Sequence, residues 1–187
     1  MNNLETKLYR LAQESENELR EMGFSSQLDC VGYIDYTISN ATTRLGQCVN
    51  KSSINISKWL LEIGNDTEIK NTIIHEILHT FKDTKGHGEQ WKKYAKIIND
   101  FGKYNITRTT SITKIMQNNG VNIEKQREML NKNYEITCLQ CGETWYFNKI
   151  CGKTLYYYKN NKVTHKSCKG KHFKVVDLKN NKILIGE

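Results

Sequence analysis

Three of the five histidines in this chain fall within thirteen residues, in the run "NTIIHEILHTFKDTKGHGEQW" at 71–91. His75 and His79 are four apart, so on a helix they share one face and can offer two imidazoles to a single ion. Glu76 is offset enough to miss that ion yet reach a water beside it. A catalytic Zn²⁺ takes three protein ligands and keeps a fourth position for water, whose pKa it lowers toward neutrality. His87, between Gly86 and Gly88, is the candidate third ligand, because the glycines let the chain turn back and aim it. Glu76 is then the general base that takes a proton from the water and later delivers it to the leaving group. A His-Glu-x-x-His string arises by chance in roughly one chain in a hundred of this length, before a third His is required. The bland alternative is a buried helix whose histidines only form hydrogen bonds. It would leave two imidazoles and a carboxylate among Ile73, Ile74, Ile77 and Leu78, which is costly without a metal.

A second ligand set lies near the other end. "TCLQCGETW" supplies Cys138 and Cys141, and "THKSCKGKHF" supplies His165 and Cys168. Two knuckles of x-x spacing with four ligands are the pattern of a closed structural zinc site, a zinc ribbon. Cys151 and His172 are rival ligands, but Cys151 fits neither knuckle and reads as a free thiol. "TWYFNK", "KTLYYYKN" and "FKVV" read as short strands around this site. So small a segment buries little apolar surface, so metal binding would supply most of its folding free energy.

The elements that must position the first set follow from periodicity. Leu4, Leu8, Leu11 and Leu19 predict a first helix over 4–22 that stops at Gly23. The Thr-, Ile- and Tyr-rich stretch after it predicts short antiparallel strands, one near Ile54 to Ile56. Asp66 and Thr67 are expected to cap a helix from Glu68 through Phe81, with Ile69, Ile73, Ile77 and Phe81 as its buried stripe. A further helix follows from 89, with Trp91, Tyr94, Ile97 and Ile98 on its inner face and Gly102 at its end. Residues 103–134 are polar and read as a connecting region, with weak helical periodicity in "VNIEKQREMLNKN" that allows one helix.

Composition sets the bounds. The chain has 187 residues, 37% hydrophobic and 26% charged, which suits one soluble domain with a small appendage. No stretch approaches the apolar run of a membrane span or secretory signal, so the expectation is a cytoplasmic protein with no membrane partner. In that reducing setting six cysteines are thiols or metal ligands and not a disulfide framework. The net charge of +8 is concentrated in the tail, where Lys132 to Glu187 hold eleven Lys and no Arg against four acidic residues. Such a patch attracts nucleic acid or an acidic partner. Trp145, Tyr146 and Tyr156 to Tyr158 either stack on bases of single-stranded nucleic acid or pack the scant core of the ribbon.

With both ligand sets in place, the chain resembles the SprT-like family of zinc metallopeptidases. The resemblance runs through "TTRLGQC", "INISKWLL", "HEILH", "HGEQW" and the terminal ribbon, in that order. It departs from many members where His165 opens the second knuckle in place of a Cys, which Zn²⁺ tolerates. The resemblance implies catalytic zinc on His75, His79 and His87 with Glu76 as base. It also implies an α+β, zincin-like core of helices and a small, mainly antiparallel sheet, at 1–131, followed by a small β zinc ribbon at 132–187. The resemblance places "RLGQC" near the active-site sheet; there Arg44 is either a substrate contact or, the favoured reading, structural, and Cys48 reads as buried.

The expected function is therefore a zinc-dependent protease of peptide or protein substrates, including DNA-associated proteins. It would hold one catalytic and one structural Zn²⁺ and could meet DNA through its basic C-terminal region. The rival is a non-catalytic nucleic-acid-binding or regulatory protein in which the ribbon does the work. Glu76 discriminates between them, because a purely structural zinc site does not need it.

Overall fold

A computed structural model of the chain describes residues 3–110, 112–122, 124–125 and 131–186. The fold is α+β, in two compact units, Met1–Asn122 and Ile123–Glu187. The sequence places this boundary later, after 131; residues 123 and 126–130 between the two positions, which include the middle of the expected "VNIEKQREMLNKN" helix, lie outside the described residues.

In the first unit, helix α1 spans Asn3–Leu19 and buries Leu8, Leu11 and Leu19 on one face. It runs into a wide turn, Arg20–Phe24, broken at Gly23 with φ of 93°, a value that costs a residue without Cβ little. The chain then resumes as α2, Ser25–Val31, so the predicted stop is a kink between two helices.

Strands β1 (Asp35–Ser39), β2 (Gly46–Val49) and β3 (Ser53–Ser57) form a sheet in the order β1-β3-β2. β2 and β3 form an antiparallel hairpin, turned by Asn50 and Lys51, both at positive φ. β1 pairs with β3 in parallel, with Tyr36 beside Ile54 and Ile38 beside Ile56. One of the two pairings thus differs from the antiparallel expectation. The reason is that β2 takes the far side of β3, leaving β1 to enter beside it in the same direction. Residue alternation does not encode that choice.

After the short helix α3, Lys58–Ile63, comes α4, Asp66–Thr80. Its cap is Asn65 and not Asp66 or Thr67. The Asn65 side chain accepts from the Glu68 N–H at 2.9 Å, and the Asn65 N–H donates back to the Glu68 carboxylate at 3.2 Å. Ile69, Ile73, Ile74, Ile77 and Leu78 are fully buried, each stabilising the fold by about 1.5–3 kcal/mol relative to exposure. Truncating one of them, Ile73→Ala, would cost about 2–5 kcal/mol. α5, Glu89–Asp100, buries Trp91, Tyr94, Ala95 and Ile98; Ile97 lies on its exposed flank, contrary to the sequence-based face. α6, Ile112–Asn118, was not apparent from periodicity.

The second unit is a four-stranded antiparallel sheet in the order β5-β4-β6-β7. Its strands are β4 (Tyr134–Cys138), β5 (Thr144–Phe147), β6 (Phe173–Asp177) and β7 (Lys182–Ile185). Its core is small: Ile136, Cys138, Phe173 and Val175, with partly buried residues around them. "KTLYYYKN" is a helix, α7 (Gly152–Lys159), and not a strand. Leu155 and Tyr158, three apart, pack together on the core, with Tyr158 edge-on to Phe173 at 4.9 Å. Asn161, at positive φ, ends the helix.

Candidate active site

α4 presents His75 and His79 one turn apart, as their spacing predicts. A turn then returns the chain: Gly86 takes a φ of 52° and the Gly88 N–H donates to the Lys85 carbonyl at 3.1 Å. This brings His87 to the same point. The three Nε2 atoms form a triangle with sides of 3.0, 3.2 and 3.3 Å. Four tetrahedral Zn–N bonds of about 2.0–2.1 Å space their nitrogens by about 3.3–3.4 Å, so the triangle nearly matches one face of that tetrahedron.

The imidazoles are also chemically ready to bind a cation. The His75 Nδ1–H donates to the Thr107 carbonyl at 2.9 Å, which fixes its tautomer and turns the Nε2 lone pair toward the other two rings. Burial, with His79 beside it, pushes His75 down to about 4 despite that bond. Burial, His87 and Lys51 push His79 to about 4, and burial and Arg108 lower His87. All three therefore stay neutral near pH 7, with converging lone pairs. The buried Trp91 indole packs against all three rings, at 4.9, 5.8 and 4.6 Å from His75, His79 and His87.

Glu76, on the next position of α4, is only 7% exposed. Its Oε2 accepts from the Cys48 backbone N–H of β2 at 2.8 Å. Burial raises its pKa to about 7, while that N–H and Arg44 pull it the other way. β2 can come this close because position 46 is glycine. A Cβ there would sit 2.8 Å from Glu76 Cγ and 2.9 Å from both Glu76 Oε1 and Thr72 Cγ2.

His75 and Glu76 border a cleft of about 850 Å³ that also takes in Arg44, Thr107 and Arg108. Arg44 is exposed there, and Cys48 is half-buried where the sequence suggested a buried residue. Lys51, from the β2–β3 turn, donates to the Phe81 and Thr84 carbonyls at 2.8 and 2.9 Å, just beyond α4. It thereby ties down the segment that leads to His87, and Tyr94 adds a second tie through Asp83. Sequence reasoning missed Trp91 as a wall of the site, and Gly46, Lys51 and Thr107 altogether. Only the "W" four residues after His87 offered a local signal.

The second set also converges. Cys138, Cys141, His165 and Cys168 hold their ligand atoms within 4.8 Å of one another. The His165 Nε2–H faces Glu143 at 3.1 Å, which leaves Nδ1 turned to the thiols of Cys168 and Cys141 at 3.1 and 3.4 Å. Although burial opposes it, backbone N–H groups of Cys141 and Gln140 hold the Cys138 thiol below its ordinary pKa, favouring the thiolate that a metal needs. At Gly170 a Cβ would lie 3.0 Å from Cys138 Sγ, so the chain packs closely against the cluster at this position. Cys151 and His172 are exposed and outside the cluster. Three thiols and one imidazole in this arrangement could form a zinc ribbon.

An α+β fold with two imidazoles and a carboxylate on one buried helix, and a third imidazole brought to them by the turn that follows, defines the class. Residues 12–110 match the sequence model of the SprT-like family, and the chain belongs to that family. It is also 33% identical over 85 residues to the DNA-dependent metalloprotease dvc-1 of Caenorhabditis elegans. That similarity covers 42% of this chain and 22% of the worm protein, so the chain spans under a quarter of that curated relative. No helix among the described residues is long and apolar enough to cross a membrane.

Proposed function

We propose that this chain is a zinc-dependent metallopeptidase of the His-Glu-x-x-His type, with His75, His79 and His87 as ligands of a catalytic Zn²⁺. The observation that carries the proposal is the convergence of three neutral Nε2 atoms beside the Glu76 carboxylate at the edge of an open cleft. When bound, the ion would supply Lewis acidity, lowering the pKa of a water toward neutrality and polarising the scissile carbonyl. Glu76 does the proton work: held by the Cys48 N–H on one oxygen, it takes a proton on the carboxylate and returns it to the leaving amine. Trp91 keeps water from the back of the three rings.

A structural Zn²⁺ on Cys138, Cys141, His165 and Cys168 is part of the same proposal, with these four side chains closing the site to water. The DNA dependence named for the worm relative supports DNA as a partner and DNA-associated proteins as substrates. Tyr156 and Tyr157 of α7 are exposed, and Lys162 and Lys153 lie over their rings at 4.9 and 5.8 Å. That pairing of aromatic faces and cations suits contact with single-stranded nucleic acid, while Trp145 and Tyr158 pack the core. Six free cysteines fit a reducing, cytoplasmic setting.

The test is Glu76→Gln in the full chain, assayed for proteolysis with and without single-stranded DNA and for metal content. Loss of cleavage with metal retained is expected. Cleavage at the wild-type rate would remove Glu76 from the mechanism, and no cleavage by the wild type under any condition would favour the non-catalytic, nucleic-acid-binding alternative.

A further inference from the structure

The cleft next to the three imidazoles carries charge that water activation does not use. Its lining contains two carboxylates, Glu68 and Glu76. Both are engaged. Glu68 Oε2 accepts from the Asn65 N–H at 3.2 Å and the Asn119 amide at 2.7 Å, and Glu76 accepts from the Cys48 N–H at 2.8 Å.

Two guanidinium groups line the same cleft without such partners. Arg44 precedes β2, and Arg108 follows Thr107, whose carbonyl orients His75. Both are exposed, and neither makes a hydrogen bond or ion pair among the described residues. They bracket the site electrostatically, since Arg44 acts on Glu76 and Arg108 acts on His87. An unpaired guanidinium in a concave site is a ready receptor for a planar anion, because its fork of N–H donors matches a carboxylate in a bidentate, charge-assisted pair.

We propose that this cleft selects a polypeptide segment with an Asp or Glu side chain near the bond to be cut, held by Arg44 and Arg108. The proposal rests on the peptidase function above and names the substrate class of that same site. The cleft is bordered by His75 and Glu76, so whatever fills it lies against the reacting groups, which is where substrate polypeptide belongs and a bystander anion does not. A lysine or arginine at the same place would meet Arg44 and Arg108 with Lys114 also in the lining, so the cleft favours acidic segments over basic ones.

The experiment uses the full-length, zinc-loaded Glu76→Gln protein, which can bind without turnover. Its affinity is measured by fluorescence anisotropy for labelled peptides that differ only in Asp/Glu, Asn/Gln or Lys at one position. The acidic peptide is expected to bind on the order of tenfold more tightly than its amide counterpart. The preference should fall to within about twofold when Arg44→Gln and Arg108→Gln are added. Arg108→Glu should shift it toward the lysine peptide. Both arginines are exposed and make no hydrogen bond or ion pair among the described residues, so circular dichroism should show that the variants fold as the parent does.

Equal binding of acidic and amide peptides, or a preference that survives loss of both arginines, would overturn the proposal. So would displacement of the acidic peptide by single-stranded oligonucleotide with the same arginine dependence, which would assign the cleft to phosphate. Wild-type cleavage of peptides without acidic preference would sink this substrate class and leave the peptidase function standing. Arginine-dependent selection of acidic peptides by a protein that cleaves none would do the reverse.

Discussion

The Glu76 carboxylate accepts a hydrogen bond of 2.8 Å from the Cys48 backbone N–H, across 28 residues of chain. A main-chain donor cannot rotate away, so β2 holds one oxygen of the proposed base in place without a second side chain. Gly46 makes the approach possible. Gly46→Ala should therefore displace Glu76 and cost about 1–3 kcal/mol through overpacking. Proteolytic rate should fall further than the lost stability explains, with both metal sites still filled. Urea unfolding and turnover measured below the transition check this, and an alanine variant with wild-type kcat would show that β2 does not position Glu76.

Lys51 acts on the other side of the site. Its ammonium holds the Phe81 and Thr84 carbonyls, and the chain then leads through Gly86 to His87. Replacing it by methionine keeps the aliphatic stem and deletes these bonds. Outer partners of metal ligands typically matter by about 10–100-fold in affinity, and Lys51→Met should fall at the lower end because it acts through the backbone. Competition with a chromophoric chelator measures this directly. Unchanged zinc affinity at the histidine site would mean that the loop is held by other contacts.

Metal loading should separate the two ligand sets. His75→Ala should lower zinc content from two ions per chain to one and leave the ribbon folded. Cys138→Ser should remove the other ion and unfold the small sheet, whose buried core is only Ile136, Cys138, Phe173 and Val175. Elemental analysis with amide hydrogen exchange over β4 and β6 reads both effects. Protection of those strands after full chelation would show that the apolar core suffices without metal.

A partly buried polar network near α1 makes stability depend on pH. Glu18 accepts from Lys70 at 2.9 Å and Lys103 at 2.7 Å, and from the Tyr104 hydroxyl. Burial works against its charge, but the two ammonium groups outweigh it and hold the carboxyl below the usual carboxylate range. A folded-state pKa below the unfolded one stabilises the fold above the unfolded value, and the contribution is lost as pH falls through the folded one. Glu18→Gln should thus cost on the order of 1–2 kcal/mol at pH 7. The gap from wild type should close below about pH 4. An equal gap at pH 7 and pH 3.5 would show that the charge on Glu18 contributes nothing.

Much of this is legible in local spacing. The isoleucine stripe of α4 is buried as its period required, and the side chains of both candidate ligand sets converge, helped by four residues making one helical turn and a two-residue knuckle being covalently short. Other elements were misjudged where local pattern is ambiguous. "KTLYYYKN" has β-prone tyrosines, yet Leu155 and Tyr158 meet the core at helical spacing, and burial overrode propensity. The direction of β1 was likewise undetermined, since both directions bury Tyr36.

By itself, then, the sequence determined which atoms gather: the three imidazoles, the carboxylate beside them and the four-ligand knuckle pair, all set by spacings of a few residues. Only the tertiary structure decided what surrounds them. Thr107 lies 32 residues from His75, Cys48 28 from Glu76 and Lys51 30 from Phe81. No periodicity spans such separations, because those contacts exist only once the β2–β3 hairpin and the segment after α5 have packed against α4. The same packing brings Arg44 and Arg108, 64 residues apart in the chain and without hydrogen bond or ion pair among the described residues, to the lining of one cleft.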